Sequence, residues 1–600
     1  MARIVGNSGA SVFQIRKFLG LNENEDGDTR LAMGEAAESR NWRVTAGGSL
    51  QIRPGTRTLC AFTSPVRGLW SGNVAGADVL VCAADGQLWK LELEGVPTEA
   101  TRRSLGSLTD APTEFFGYGE KLYILNGVEY KVWDGETLSD VEGYCPLVSV
   151  SNTPTGGGTA LEQVNKLTGA RRARFSPDGE ATVFQLPEKG LLRLDYVKDV
   201  ATGATLEASG YAADMAAGTV TFTTAPEKGT NSLEIGWTMA DSGRAQVCAM
   251  RFAEIFNGAT DNRVFLYGDG TNRCIYSGLD GSGRPTAEYF PDLNELAAGE
   301  ANTPITGLVR HFSRMLVFKT NATYAVSYDT ITRADGAATA GFYVTPINRV
   351  IGSVAPGQCR LVLNNPRSLH SGSVYEWKSA NGYLTADERQ AKRISERIRS
   401  TLGSLDLQNA YVFDDEYSQE YYIVSGDLAL VHNYTQDAWY IYTRFPAACM
   451  TRYAGELYMG TVDGRLSHIS RQYRSDDGAP IDAFWRSGSI SFERSWKRKY
   501  TSVIWVAMMP ETGARVVVTA RSNRKSTYPD KVLSYGLAAF EPVDFGHWSF
   551  GTNRQSQVRR VKLKVKKYTY YQLVFESNSS AGTATIVGTD IQVRYSGNVK

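Results

Sequence analysis

The hydrophobic pattern of this chain is organised in short strand–turn–strand units. The clearest unit runs from Phe115 to Thr137 (FFGYGEKLYILNGVEYKVWDGET), where three segments rich in aromatic and β-branched residues are separated by glycine-containing turns. Segments of this kind predict antiparallel strands joined by hairpins. One small sheet cannot bury both of its faces, so such units are stable only beside neighbours of the same kind.

Similar units recur along the chain. Asp78–Glu92 and Gly455–Ile469 each place an Asp-Gly turn between two apolar segments. Looser versions of the same pattern occur at Asn262–Ser277, Phe312–Tyr328, Ser373–Trp377 and Tyr411–Tyr442. Repeated small antiparallel sheets are typical of a β-propeller, and the 31 Tyr and 11 Trp favour strands over helices. The sequence therefore predicts an all-β protein built on a β-propeller.

Breaks in the pattern divide the chain into parts. A Gly/Thr/Pro-rich segment at 149–169 is followed by strict alternation at Thr219–Thr223, which predicts a β-sandwich inserted into the propeller. A polar segment at 473–482 precedes six more alternating segments, beginning with SGSISFE, which predict a second sandwich. The predicted domains are an N-terminal segment with a hairpin (1–60), a β-propeller (61–150 and 246–472), an inserted β-sandwich (151–245) and a C-terminal basic β-sandwich (473–600).

One segment has helical periodicity. Thr385 and Glu388 form a capping-box pattern, and an apolar stripe follows at Ala391, Ile394, Ile398 and Leu402. The opposite face is basic. We expect a helix packed across the propeller with its charges in solvent, and contact with DNA is the alternative.

Charge is distributed unevenly along the chain. The protein has 64 Lys and Arg against 63 Asp and Glu, a net charge of +1. Residues 486–567 alone contain seventeen Lys and Arg against five Asp and Glu, a balance of +12, so the rest of the chain carries −11. A charged surface that binds a partner is therefore expected in this segment.

The basic segment contains one strand with regularly spaced cations. In VRRVKLKVKK, strand alternation places Val561, Leu563 and Val565 on one face. The opposite face carries Arg560, Lys562, Lys564 and Lys566, about 7 Å apart. These four residues are the candidate DNA- or partner-contacting site. Acidic protein surface, nucleic-acid phosphate and counterions in solvent are all possible neighbours for them.

Catalytic and metal-binding patterns are weak in this sequence. The five histidines have no metal-ligand spacing, the seven cysteines form no CxxC pair, and neither a P-loop nor a G-x-S-x-G motif occurs. Asp414, Asp415 and Glu416 are adjacent, but neighbouring residues of a strand face opposite ways. Asp476 and Asp477 are expected to be solvated. We predict a protein without enzymatic activity, with no catalytic, cofactor-binding or metal-binding residues and no cofactor.

Two further expectations come from apolar runs. No run approaches the 18 apolar residues of a transmembrane helix, so no membrane-spanning segment is predicted. The N-terminal sequence lacks the apolar stretch of a signal peptide, which indicates synthesis in a cytoplasm.

The segment Glu38–Gly55, which contains ESRNWRV and GGSLQIRPG, resembles the opening of bacteriophage tail nozzle and packaged-DNA-stabilisation (head–tail connector) proteins. In that family a short N-terminal segment precedes a β-propeller. The resemblance implies that Trp42 is a core aromatic residue and that Pro54-Gly55 is a turn. It provides no catalytic residues.

The resemblance also implies a function. It predicts a structural protein of the virion, located in the tail and made in the cytoplasm of the host bacterium. Six subunits would form a ring that extends the DNA channel and retains the packaged genome until ejection. The expected partners are the adjacent head–tail connector or tail proteins, and genomic DNA that passes through the lumen without sequence specificity.

A tail-tip propeller that binds or cleaves carbohydrate of the host envelope is the alternative. Ser176–Gly179 (SPDG) is similar to part of the sialidase Asp-box, although it lies in the insert and lacks the closing Trp. An enzyme of this kind would bring carboxylates, Arg and Tyr together at one mouth of the propeller. A ring subunit would instead carry apolar or charged patches on its flanks.

Overall fold

The structure is a computed structural model. It describes residues 4–5, 10–23, 28–93, 99–240, 242–257, 262–332, 338–378, 391–511, 513–535 and 556–598.

In the described part of the chain, six four-stranded antiparallel sheets and four antiparallel strands of a six-stranded sheet form the seven blades of a β-propeller. A tight hairpin joins the second and third strands of the first blade, where Asp85 and Gly86 both adopt left-handed backbone angles, as a two-residue turn requires. The strands, from the innermost outwards, are Gly68–Val74, Ala77–Ala84, Gln87–Glu92 and Thr101–Ser107 in blade 1; Glu114–Tyr118, Lys121–Leu125, Tyr130–Trp133 and Leu138–Asp140 in blade 2; Phe252–Asn257, Asn262–Tyr267, Arg273–Tyr276 and Glu295–Ala297 in blade 3; and Ile305–His311, Arg314–Lys319, Thr323–Thr332 and Ala338–Asn348 in blade 4.

The remaining blades close the ring. They contain Arg360–Val362, Asn365–His370, Ser373–Trp377 and Ala391–Arg393 in blade 5; Tyr411–Asp415, Glu420–Ser425, Leu428–Asn433 and Ala438–Thr443 in blade 6; and Ala447–Tyr453, Glu456–Thr461, Arg465–Ser470 and Gly55–Ala61 in blade 7. The innermost strands contact one another in cyclic order, and that of blade 7 contacts that of blade 1. The outermost strand of blade 7, Gly55–Ala61, comes from the N-terminal part of the chain and pairs with Arg465–Ser470. Residues distant in sequence therefore hold the ring closed.

The insert between blades 2 and 3 is a sandwich of two sheets. Its strands are Leu147–Asn152, Thr159–Ala160, Ala170–Phe175, Arg193–Asp199 and Leu233–Thr238 in one sheet, and Val183–Gln185, Tyr211–Asp214 and Thr219–Phe222 in the other. Phe175, Phe184 and Trp237 lie in the core between them. The strands begin before the expected boundary at residue 151, and the helix Arg244–Cys248 returns the chain to blade 3.

The N-terminal segment and the C-terminal region form one sandwich, rather than the two separate units that the sequence predicted. One sheet contains Ile4–Val5, Ala10–Ile15, Trp42–Val44, Leu50–Ile52, Lys497–Met508, Gln557–Tyr568 and Thr585–Asn598; the other contains Gly20–Leu21, Glu35–Arg40, Ala483–Ser487, Ala514–Ser522, Lys531–Tyr535 and Tyr571–Ser577. The hairpin at Trp42–Val44 and Leu50–Ile52 is as expected, and Trp42 is fully buried. SGSISFE is not a strand of this unit, because the neighbouring Ala483–Ser487 takes that place.

The terminal sandwich and the propeller share a hydrophobic core. Trp42 and Trp485 of the sandwich lie in one cluster with Tyr440 of blade 6 and Met459 of blade 7. A two-stranded extension, Ser475–Asp476 and Ala479–Pro480, also joins the sheet of blade 7. The sandwich is thereby fixed against blades 6 and 7.

The predicted helix is largely wrong. Its capping box, Thr385 and Glu388, lies outside the described residues, and Ala391–Arg393 pairs with Ser373–Trp377 as the outer strand of blade 5. A 3₁₀ turn at Glu396–Ile398 and a short helix at Arg399–Ser404 follow, and they bury Ile398 and Leu402. The helix-like spacing of the apolar residues arises because a strand, a 3₁₀ turn and a short helix follow one another. Elsewhere in the described residues, 3₁₀ turns occur at Asp28–Arg30 and Ala208–Gly210.

Candidate functional site

The basic strand, Gln557–Tyr568, lies at the edge of its sheet. It pairs with Lys497–Met508 on one side only in the described part of the chain. Val561, Leu563 and Val565 are buried against the second sheet, while Arg560, Lys562, Lys564 and Lys566 are exposed. Side chains of the four predicted site residues therefore lie together on the outer face.

Two bulges interrupt the pairing of the basic strand. Lys564 and Lys567 have left-handed backbone angles (φ 42° and 55°), and the register with Lys497–Met508 shifts beside each of them. Bulges and lysines on an edge strand prevent another strand from adding to the sheet. A partner at this edge is therefore contacted by side chains rather than by backbone hydrogen bonds.

The four cations have no acidic partner among the residues that the structure describes. Arg560 lies opposite Trp505 and Lys566 lies opposite Tyr500 on the neighbouring strand, and both aromatic residues are partly exposed. Trp496, just before that strand, is 58% exposed. The face thus combines an uncompensated row of positive charge with accessible aromatic surface, which is suited to a macromolecular partner.

The propeller channel is a second place where charged residues meet. Glu114, Glu254, Arg310 and Arg360 come from the innermost strands of blades 2 to 5 and line one cavity of about 130 Å³. Burial raises the pKa of Glu254 to about 7, although both arginines oppose the shift. Each of these residues is a single charged residue in a mostly apolar strand. This pattern was the only feature of the sequence that could have identified the cavity.

The adjoining mouth of the channel is wider, at about 540 Å³. Trp70, Phe252 and Tyr411 line it together with Arg67 and Gln408. Ligand sites for small molecules usually measure about 300–1,000 Å³, so the mouth could hold a sugar and the inner cavity could not. Glu114 is the one carboxylate among the described residues that line the mouth, whereas hydrolysis of a glycosidic bond ordinarily uses two.

Two other acidic residues of interest, Asp415 and Asp178, have structural roles. Asp415 pairs with Arg452 through both carboxylate oxygens, at 2.8 and 2.6 Å, and the pKa of Asp414 is raised to about 7, chiefly by burial. The Asp178 carboxylate of the SPDG motif accepts backbone hydrogen bonds from Glu180 and Ala181, so this motif caps a turn.

Asp476 and Asp477 are not simply solvated, as the sequence suggested. Asp476 forms a bidentate pair with the buried Arg53, and Asp477 accepts hydrogen bonds from the backbone N–H and the hydroxyl of Thr58. Polar residues in a sequence otherwise typical of a linker therefore anchor blade 7. The partners are more than 400 residues away, so no local pattern could have identified them.

Within the described ranges, no group of three or more His, Cys, Asp or Glu side chains could hold a metal ion. All seven cysteines are unpaired, and Cys82, Cys274, Cys359 and Cys449 are buried. Among the described helices, none is long and apolar enough to cross a membrane.

Comparison with known proteins provides distant similarities only. No family model and no curated protein matches the chain. Among solved structures, the designed protein Ika8 is 11% identical with a TM-score of 0.32, covering 70% of this chain and 99% of its own. The AfRom2 CNH domain is 9% identical with a TM-score of 0.34 (69% and 99% covered). An exo-β-1,3-galactanase from Phanerochaete chrysosporium is 9% identical with a TM-score of 0.22 (90% and 100% covered). Likenesses at this level identify neither a family nor a function.

Proposed function

We propose that this protein is a structural subunit of a ring in a bacteriophage tail, at the nozzle or the head–tail connector. The ring extends the channel for DNA and retains the packaged genome until ejection. The observation that carries the proposal is the exposed row of Arg560, Lys562, Lys564 and Lys566, which has no acidic partner in the described part of its own chain.

The charge balance supports a partner of opposite sign. Because residues 486–567 carry +12 and the rest of the chain −11, identical subunits arranged head to tail can bring basic and acidic surfaces together. DNA in the lumen offers phosphates to any part of the row that faces it. The bulged backbone at Lys564 and Lys567 supports contact through side chains, which suits either partner.

No covalent chemistry is part of this proposal. Rigid sheets, closure of the ring and the potential of its lumen are sufficient to guide and hold DNA. The protein acts in the virion tail, next to connector or other tail proteins, after synthesis in the host cytoplasm.

Native mass spectrometry tests the proposal directly. The purified chain should form a ring of six subunits, either alone or after addition of the neighbouring virion proteins. Rising ionic strength should weaken the ring, because exposed charges are screened over about 8–10 Å at physiological salt. A chain that remains monomeric with every virion neighbour and at low salt would contradict the proposal.

Carbohydrate binding at the channel mouth is the second candidate. The observation that favours it is the wall of Trp70, Phe252 and Tyr411 beside the planar donors of Arg67 and Gln408, because sugars pack on aromatic faces and accept such hydrogen bonds. Replacement of the lining carboxylate, Glu114→Gln, discriminates the two candidates. A structural subunit with this change should assemble and retain DNA normally, whereas a cleaving enzyme should lose activity and still assemble.

A further inference from the structure

A cavity of about 600 Å³ lies where the terminal sandwich meets blades 6 and 7. Arg43, from the N-terminal hairpin, lines it together with Glu420 of blade 6 and Arg471, which follows the third strand of blade 7. Its volume falls within the range of about 300–1,000 Å³ usual for small-molecule sites. All of the residues that line the cavity belong to the described part of the chain.

The guanidinium of the buried Arg43 makes no hydrogen bond to the residues that the structure describes. Its side chain is 9% exposed, and its Nη1 atom forms an ion pair of 3.5 Å with the Glu420 Oε1 atom. Its Nε atom is buried without a partner among the described residues. A buried guanidinium normally has its N–H donors satisfied, so those of Arg43 are available to a ligand in the cavity.

The other two arginines that line the cavity are already paired. Arg53 pairs with Asp476 and Arg452 with Asp415, in both cases through two hydrogen bonds. Glu456 also lines the cavity, and its half-exposed carboxylate lies 2.9 Å from the Nε2 atom of His468. The donors left to a ligand are therefore those of Arg43 and Arg471, and Glu420 is the buried carboxylate beside them.

Arg43, Arg471 and Glu420 influence one another electrostatically. Proximity to Arg43 is the main cause that lowers the pKa of Arg471, which means that the two cations repel each other. Burial raises the pKa of Glu420 despite the attraction of Arg43, so the carboxylate compensates the arginines incompletely. The buried hydroxyl of Tyr442, which also lines the cavity, has no described partner and can donate to an anion.

We propose that this cavity binds an oxyanion, the phosphate or carboxylate group of a small ligand, between the guanidinium groups of Arg43 and Arg471. Arg471 is exposed and stands at the entrance, while Arg43 forms the inner wall. Hydrogen bonds between charged donors and acceptors are stronger than neutral ones, so two arginines suffice for measurable binding of a simple anion.

Isothermal titration calorimetry with inorganic phosphate and, separately, acetate tests this site and separates the two ligand chemistries. At least one anion should bind to the wild-type protein at millimolar concentration or below. Arg471→Gln, at an exposed position, should weaken binding about tenfold or more. Glu420→Gln keeps the shape of the side chain but removes its negative charge, and should strengthen binding severalfold.

Arg273→Gln is the matched control, because Arg273 is exposed and pairs with Glu295 on the outer strands of blade 3, so this variant should leave anion binding unchanged. Opposite effects of the Arg471 and Glu420 substitutions support a site governed by charge, since a loss of packing would weaken binding in both. The site is refuted if neither anion binds at about 10 mM, a concentration at which even weak sites are occupied. Equal affinity of the wild type and Arg471→Gln, or weaker binding by Glu420→Gln, also refutes it.

Discussion

Arg53 and Asp476 are 423 residues apart in sequence and form a buried bidentate pair, with N–O distances of 2.7 and 3.0 Å. Arg53 also donates to the Asn41 side chain and to the backbone carbonyls of Pro54 and Thr443. One guanidinium thus connects the N-terminal hairpin, the start of the closing strand, blade 6 and the segment after blade 7. This pair holds the terminal sandwich to the closed propeller.

Breaking this pair should strongly destabilise the protein. Asp476→Asn leaves the Arg53 charge buried without its counter-charge, and removal of one partner of a buried pair costs about 3–5 kcal/mol. The free energy of unfolding, measured by urea denaturation, should fall by that order. Asp482→Asn is the control, because Asp482 and Arg40 form an exposed pair, worth about 0–1 kcal/mol. Equal stability of the two variants would contradict a stabilising role of the Arg53–Asp476 pair.

The inserted sandwich should be dispensable for folding of the propeller. Leu147 pairs with Arg172, and Arg172 with Gly236, so the two ends of the insert are two strands, or about 10 Å, apart. Replacing residues 148–235 with a three-residue glycine linker can span that distance. We expect a chain that still unfolds cooperatively in calorimetry, at a lower temperature than the full protein.

The lower unfolding temperature expected for the deletion protein is due to the loss of contacts made by Asn165. Asn165 of the insert is fully buried and makes hydrogen bonds with the backbone of Tyr144, Leu167, Glu288 and Phe290. Asn165→Ala in the full chain, expected to cost about 2–3 kcal/mol, separates the loss of this contact from the loss of the domain. A deletion protein without a cooperative transition would show that the propeller depends on the whole insert.

Glu254 should make stability depend on pH. Its pKa is raised from 4.5 to about 7 by burial, so the folded protein holds this proton more tightly than the unfolded chain does. Its contribution is complete below about pH 4.5 and is lost as the pH rises through 7. Relative to Glu254→Gln, the wild type should lose up to about 3 kcal/mol of stability over this interval. Parallel stability curves of the two proteins from pH 4.5 to 7.5 would contradict a raised pKa of Glu254 in the folded protein.

Much of the blade structure could be predicted from local patterns. Hairpins such as the one around Asp85-Gly86 are specified by neighbouring residues, because the turn and the alternation occur within a few positions. Pairings such as Ala10–Ile15 with Thr585–Asn598 depend on partners at opposite ends of the chain, and no local pattern identifies them. The N-terminal segment and the C-terminal region were therefore predicted as separate units.

The same distinction applies to the candidate sites. Exposure of Lys562 and Lys564 follows from alternation within one strand, and the sequence was sufficient to predict it. The channel and the arginine cavity are assembled from several blades and the N-terminal hairpin. Arg43 is an ordinary alternating residue in its hairpin, and only the packing of that hairpin against blades 6 and 7 makes it a buried charge.

Charge reversal on the basic strand tests the central proposal most directly. Single Lys→Ala changes should have little effect, because each exposed pair is worth about 0–1 kcal/mol. The triple variant Lys562→Glu, Lys564→Glu and Lys566→Glu replaces attraction by repulsion along the whole row. Its buried neighbours, Val561, Leu563 and Val565, are unchanged, so the fold should be retained.

The decisive measurement is native mass spectrometry of the triple variant beside the wild type at low ionic strength, with the neighbouring virion proteins added to both. The account predicts a ring for the wild type and folded monomers or incomplete rings for the variant, and phage carrying the variant should lose packaged DNA. A variant that forms the same ring, retains DNA and infects normally would show that the basic strand is only a solvated surface.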